Sequence, residues 1–172
     1  MKSSWQKTLA NSLTSLLQNK TNPRIVVIGI GNELNGDDAA GLLVIRALRK
    51  KLADRPDLLF LEGHTAPENF SKPIREFAPD LLLIVDAANT GGQLEAGGIV
   101  LLEMDAVDGL SASTHTLPPT VFAKFIQHEV NCRVLMLGIQ IIQVDFDRPV
   151  SPRILQAVNE ASQGLIEELK KL

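Results

Sequence analysis

The sequence predicts one α/β protein: a three-layer α/β/α sandwich with a mostly parallel, mixed five-stranded sheet. Short β-branched runs of strand length alternate with longer segments of helical period along the chain. The length of 172 residues fits a single domain. We expect residues 1–22 to form an N-terminal amphipathic helix and residues 23–172 to form the α/β domain.

The N-terminal segment has the apolar spacing of an amphipathic helix. Asn22-Pro23 is a turn signal that ends it. We expect its apolar face to pack on the body of the protein. That face is formed by Trp5, Leu9, Leu13, Leu16 and Leu17.

In the first half of the α/β region, strands are predicted over 24–30 and 57–63, and helices over 38–52 and 67–77. The helix over 38–52 has acids at its start and basic residues at its end, as the helix dipole favours. In the helix over 67–77, Pro67 suits the first turn, whereas Pro73 is expected to disturb the middle.

The second half contains three more strand segments and two helices. The turn between the strands over 80–87 and 97–104 is too short for a helical crossover, which predicts an antiparallel direction for 97–104. A helix over 118–130 and a strand over 132–140 follow. The last helix, over 151–172, begins with Ser151 as N-cap and Pro152 at the first position.

Composition excludes several classes of function. A net charge of -3, a pI near 5.6 and few aromatic residues argue against a nucleic-acid-binding surface. One cysteine, Cys132, excludes an intramolecular disulfide, and its apolar run indicates a buried thiol. The chain shows neither a membrane span nor a signal peptide, so we expect a cytoplasmic protein.

The glycine-rich stretch "GIGNELNGDDAAG" after the first strand carries two acids, Asp37 and Asp38. Right-handed crossovers give the strand order 2-1-3, which brings this stretch beside Asp86 at the end of the third strand. Carboxylates this close repel one another unless a cation lies among them, which favours a metal site. Capping is the alternative for each, with Asp37 or Asp38 as a helix N-cap and Asp86 in a turn.

A dinucleotide site is not expected. The G-x-G-x-x-G fingerprint requires a glycine where Leu34 stands, and the acids oppose a pyrophosphate. No phosphate-binding G-x-x-x-x-G-K-[ST] loop or G-x-S-x-G nucleophile elbow is present either.

The chain has three histidines, of which His115 and His64 are candidates for the same region. His115, in the polar stretch "SASTHTLPPT" before a helix, is a candidate metal ligand or general base, and a solvated side chain is its alternative. His64 follows the second strand, and His128 is expected to complement a helix dipole at the surface. Two carboxylates and an imidazole are compatible with Ni, Zn, Mn or Fe(II).

Together, "GIGNELNGDDAAG", "VDAANTGG" and "STHTLP" resemble the three motifs of the [NiFe]-hydrogenase maturation endopeptidases. "TAPENF", "LLLIVDA" and "LMLGIQ" are similar to the subgroup that processes hydrogen-evolving hydrogenases of the formate hydrogenlyase type. The resemblance extends from about Arg24 to the C-terminal helix. It implies the same sandwich fold and a monomer.

The resemblance also implies an activity: removal of a C-terminal extension from the hydrogenase large-subunit precursor once nickel is inserted. The resemblance implies that Asp38, Asp86 and His115 engage that nickel and that Asp37 is a supporting residue. Two departures are the extra N-terminal helix, which inherits no role, and Gly63-His64, where the family commonly has Gly-Gly. A non-enzymatic nickel-checking or carrier module and a hydrolase of a small substrate are the alternatives.

Overall fold

The computed structural model describes residues 2–104 and 118–172. The strands are β1 (Ile25–Ile30), β2 (Leu58–His64), β3 (Leu81–Ala88), β4 (Ile99–Glu103) and β5 (Arg133–Gln140). The helices are α1 (Ser4–Asn19), α2 (Ala40–Leu52), α3 (Ser71–Phe77), α4 (Pro119–Val130) and α5 (Pro152–Leu169). Short 3-10 turns, Gly36–Ala39 and Pro67–Phe70, precede α2 and α3.

The five strands form one sheet in the order β2-β1-β3-β5-β4. All neighbours are parallel except β4, which pairs antiparallel with β5. The mostly parallel sandwich, the 2-1-3 order and the antiparallel β4 are therefore confirmed. The carboxyl ends of β1 and β3 lie side by side, as the crossover rule requires.

Both faces of the sheet are covered, because the central strands are apolar on both sides. On one face, side chains of alternate strand positions pack with α1, α2 and α5. On the other face, the intervening positions pack with α3 and α4. The same alternation determines which face of β3 carries Asp86.

The first helix packs on the body, as expected. Trp5, Leu9 and Leu13 are buried in the core cluster that includes residues of α5. At its start, the Ser3 backbone N–H and hydroxyl both donate to Gln6 Oε1. The expectation for Leu17 is wrong: this side chain is exposed, since it lies beyond the buried stripe.

Two predicted helix starts differ from the structure. The acids at 37 and 38 lie in the 3-10 turn and not in α2, whose cap position is Ala39. Pro73 does not disturb the middle of a helix, because the 3-10 turn over Pro67–Phe70 makes α3 begin at Ser71. Pro73 then lies in the first turn of α3, where its missing N–H costs nothing.

Among the helices in the described part of the chain, none combines the length and the apolar character that crossing a membrane requires.

Candidate functional site

The glycine-rich stretch brings the turn over Gly36–Ala39 close to the sheet. A Cβ on Gly41 would lie 2.4 Å from the carbonyl oxygens of both Ile30 and Val85, so only glycine lets α2 approach β1 and β3 this closely. Gly31 has a φ of +149°, and a Cβ there would lie 1.9 Å from the Asp38 carbonyl oxygen. These two glycines fix the position of Asp38 over the carboxyl ends of the strands.

Asp38 lies beside a cavity at this edge of the sheet. Its side chain is 3% exposed, and Oδ2 accepts a hydrogen bond of 3.0 Å from the Asn32 backbone N–H. This bond closes the glycine-rich stretch upon itself and does not cap α2. The cavity has a volume of about 240 Å³ and is lined by Asp38, Ala87, Asn89, Gln140, Ile141, Ile142, Gln143 and Val144.

Asp86 lies on β3, next to β1, and is 7% exposed. It is paired with Gly138 of β5. Because side chains alternate along a strand, Asp86 shares the face of Leu82 and Ile84, which is the face that α3 and α4 cover. The strand continues past it to Ala88, so Asp86 is within β3 and not in a turn, and the turn-cap alternative is wrong.

His115 lies outside the described residues. The next described element along the chain is α4, which begins at Pro119. Helix α4 ends at Val130, just before β5 begins, so its first turn lies at the carboxyl edge of the sheet. Within residues 2–104 and 118–172, no group of three or more His, Cys, Asp or Glu side chains is arranged to hold a metal ion.

Asp37 has a structural role that differs from that of its neighbour. It is fully buried, and its Oδ2 accepts hydrogen bonds from the backbone N–H groups of Ile142 at 3.0 Å and Gln143 at 3.2 Å. Ser151 donates twice, from its N–H to Oδ1 at 2.6 Å and from its hydroxyl to Oδ2 at 3.1 Å. Asp37 therefore holds both ends of the connection between β5 and α5.

These contacts correct two capping predictions. Neither Asp37 nor Asp38 caps α2. Ser151 is the N-cap residue of α5 by position, but its hydroxyl makes no capping bond, because it donates to Asp37 instead. The buried carboxylate is the stronger acceptor and so takes both donors of Ser151.

Gln140 is a site residue that sequence reasoning missed. Its Oε1 accepts from the backbone N–H of Thr90 at 2.7 Å and from the Thr90 hydroxyl at 2.6 Å, and its Nε2 donates to the Ile141 carbonyl. Gln140 lines the cavity, and its hydrogen bonds join the segment after β3 to the end of β5. The sequence shows only an amide that closes an apolar strand, and this does not indicate its partner Thr90.

The remaining candidates lie away from the cavity. His64 is exposed, with a φ of +49°, so the position keeps the left-handed conformation that glycine favours. His128 is exposed in the last turn of α4, as predicted from the helix dipole. Cys132 is buried, and burial raises the pKa of its thiol to about 11, which makes it an inert core residue.

Three comparisons place this geometry among known proteins. The family described as "HycI: Hydrogenase maturation protease" matches residues 42–171. The chain is 33% identical over 141 residues to the Hydrogenase 3 maturation protease of Escherichia coli K12, which covers 81% of this chain and 87% of that protein.

Solved structures agree with this match. The crystal structure of the [NiFe] hydrogenase maturation protease HycI from Thermococcus kodakarensis is 32% identical, with a TM-score of 0.80 over 92% of this chain and 99% of that one. The hydrogenase maturating endopeptidase HybD from Escherichia coli is 20% identical, with a TM-score of 0.69 over 86% of this chain and 93% of that one. At that identity the likeness to HybD shows the fold alone.

Proposed function

Because this chain belongs to the hydrogenase maturation protease family, we propose that it removes the C-terminal extension from the large-subunit precursor of a [NiFe]-hydrogenase after nickel insertion. The chain is thus a protease, and membership in this family argues against the carrier and small-molecule hydrolase alternatives.

The substrate we infer is a hydrogen-evolving hydrogenase of the formate hydrogenlyase type. Support comes from the sequence stretches "TAPENF" and "LMLGIQ" and from the sequence identity to two maturation proteases. The chain is 33% identical to the Hydrogenase 3 maturation protease of Escherichia coli and 32% identical to HycI of Thermococcus kodakarensis. These two relatives support the inferred class of hydrogenase.

The observation that carries the proposal is a pair of buried carboxylates, one in the turn after β1 and the other on the neighbouring strand β3. Asp38 follows β1 and Asp86 lies on β3, both at the carboxyl edge where α/β sheets bind ligands. In our proposal these carboxylates and the His115 imidazole engage the nickel already held in the precursor. Recognition of that nickel would restrict cleavage to the loaded precursor.

The proposed reaction is hydrolysis of one peptide bond. Water adds to the scissile carbonyl carbon, the C–N bond breaks, and the proton from water passes to the departing amine. Two assignments of activation are compatible with the residues: polarisation of the carbonyl by the substrate's nickel, or abstraction of the water proton by a carboxylate such as Asp38.

Mass spectrometry of the precursor tests the proposal. Nickel-loaded and nickel-free precursors are incubated with wild type and with Asp86→Ala. We expect wild type to release one defined C-terminal peptide from the loaded precursor only. We expect Asp86→Ala to reduce that rate by about a hundredfold or more, as the loss of a catalytic group does.

A matched control is Asp54→Ala. Asp54 is an exposed acid after α2, at the opposite edge of the sheet, and its loss should leave cleavage unchanged. A loaded precursor left intact by wild type would refute the proposed activity for that partner. Equal rates for wild type and Asp86→Ala would remove Asp86 from the site.

A further inference from the structure

An exposed apolar surface adjoins the cavity. We define the apolar ridge as Leu34, from the glycine-rich stretch, with Ile142, Val144 and Phe146, from the connection between β5 and α5. Leu34 is 59% exposed and Phe146 is 72% exposed. Among the described residues eight large apolar side chains are exposed, and four of them form this ridge, which singles it out as a contact surface.

The ridge is held by hydrogen bonds and is not a loose loop. Asp37 accepts from the N–H groups of Ile142 and Ser151, which fixes both ends of the connection. In its middle, the Asp147 N–H donates to the Leu34 carbonyl at 2.7 Å, joining the two segments of the ridge. A surface fixed before binding loses little conformational entropy when a partner docks.

The ridge is continuous with the candidate site. Ile142 and Val144 line the same cavity as Asp38. A polypeptide whose reacting bond lies at Asp38 would therefore place its neighbouring residues against these side chains. An apolar wall beside a few polar groups is the usual composition of a ligand-binding site, in which the polar groups fix the orientation of the ligand.

We propose that the apolar ridge binds an extended, apolar stretch of the large-subunit precursor immediately beside its scissile bond. This inference rests on the proposed function, since it names how the same site holds its substrate. The continuity of the ridge with the Asp38 cavity selects this occupant. A second copy of this chain is the competing occupant, which the experiment separates.

Binding of the nickel-loaded precursor, measured by biolayer interferometry, tests the ridge. The variant Leu34→Ser/Phe146→Ser removes its two most exposed side chains. The matched control, Leu17→Ser/Phe125→Ser, removes an exposed Leu and an exposed Phe from α1 and α4. We expect the ridge variant to bind about tenfold or more weakly, and the control to stay within about twofold of wild type.

The same measurement on a precursor that lacks the segments on both sides of the cleavage site locates the occupant. With that precursor, the difference in affinity between wild type and the ridge variant should disappear or shrink strongly, because the segment that contacts the ridge adjoins the cut. Equal affinities of wild type and both variants for the full precursor would overturn the inference, as would no measurable binding by wild type. Wild type that binds but does not cut would refute the proposed protease activity and leave the docking intact.

Photo-crosslinking identifies what touches the ridge. A benzophenone amino acid at position 146, with position 125 as control, is irradiated with the loaded precursor and the products are mapped by mass spectrometry. Crosslinks to the C-terminal region of the precursor are expected. Crosslinks to another copy of this chain, or a yield no higher than at position 125, would overturn the inference.

Discussion

Asp37 and Asp38 are adjacent in the chain, yet their carboxylates have different partners. Asp38 accepts from Asn32 within the same stretch and lines the cavity. Asp37 accepts from Ile142, Gln143 and Ser151, which lie more than a hundred positions later in the chain. Asp37 thus fixes Ile142 and Gln143, two residues of the cavity wall that Asp38 also lines.

We predict that Asp37→Asn lowers the free energy of unfolding by about 3 kcal/mol. The two carboxylate oxygens accept four hydrogen bonds, and an amide keeps one oxygen and turns an NH₂ group toward the remaining donors. Buried donors left without an acceptor carry the full cost of desolvation. Urea unfolding followed by circular dichroism measures the change.

Two further variants calibrate the effect of Asp37→Asn. Ser151→Ala removes one hydroxyl bond and should cost about 1 kcal/mol. Asp54→Asn, at an exposed position, should stay within about 0.5 kcal/mol of wild type. Should Asp37→Asn be as stable as Asp54→Asn, the four hydrogen bonds would have no net value.

At the level of elements, the packing of α1 on α5 depends on one glycine. Gly164 lies within α5, and a Cβ there would be 2.5 Å from the Trp5 ring carbon Cη2 and 2.7 Å from Gln6 Nε2. The glycine makes room for the indole of α1, which is 3% exposed. The N-terminal helix is therefore part of the hydrophobic core.

Gly164→Ala tests this packing because two effects oppose each other. Alanine in a helix interior stabilises by about 1 kcal/mol relative to glycine. Overpacking against a buried ring typically costs about 1–3 kcal/mol, and a contact of 2.5 Å lies at the severe end. We predict net destabilisation by about 1–2 kcal/mol, measured by urea unfolding.

The double variant with Trp5→Phe assigns the cause of this loss. Phenylalanine lacks the ring atoms that approach Gly164, so Gly164→Ala should cost less in that background than in wild type. Additive losses would place the strain elsewhere. A wild-type-like or higher stability of Gly164→Ala alone would show that α1 moves to accommodate the methyl group.

For the whole molecule, the sequence predicted the architecture because its signals are local. Each strand is a short apolar run, and the right-handed crossover rule then places the ends of β1 and β3 together. The position of Asp38 and Asp86 at one edge followed from that topology alone. Their proposed roles remain predictions, as does that of His115.

What sequence reasoning missed depends on contacts between distant residues. The bonds of Asp37 to Ser151 and of Gln140 to Thr90 form only when β5 is placed beside β3. Neither pair has a spacing or motif that marks it in advance. Capping was the reasonable local alternative for Asp37 and Ser151, and the tertiary contact replaced it.

The two ends of the chain meet in an ion cluster around Glu168 of α5. This carboxylate is 3% exposed and lies 2.5 Å from Lys2 Nζ and 2.7 Å from Lys171 Nζ. Burial acts to raise the pKa of Glu168, but hydrogen bonds from Lys171 and Lys2 outweigh it, and the pKa is lowered from its ordinary value of 4.5. The pKa of Lys2 is raised by its hydrogen bond to Glu168.

We predict that this cluster makes the folded state sensitive to acid. A carboxyl whose pKa is lower in the folded state stabilises that state above its unfolded pKa, near 4.5, and loses this contribution as pH falls through the folded value. In urea unfolding at pH 7 and at a series of pH values from 5 downward, Glu168→Gln should be less stable at pH 7 and lose less stability on acidification. Glu167→Gln, at an exposed neighbour, should follow the wild-type curve. Parallel curves for wild type and Glu168→Gln would mean that the ends of the chain are joined by packing alone.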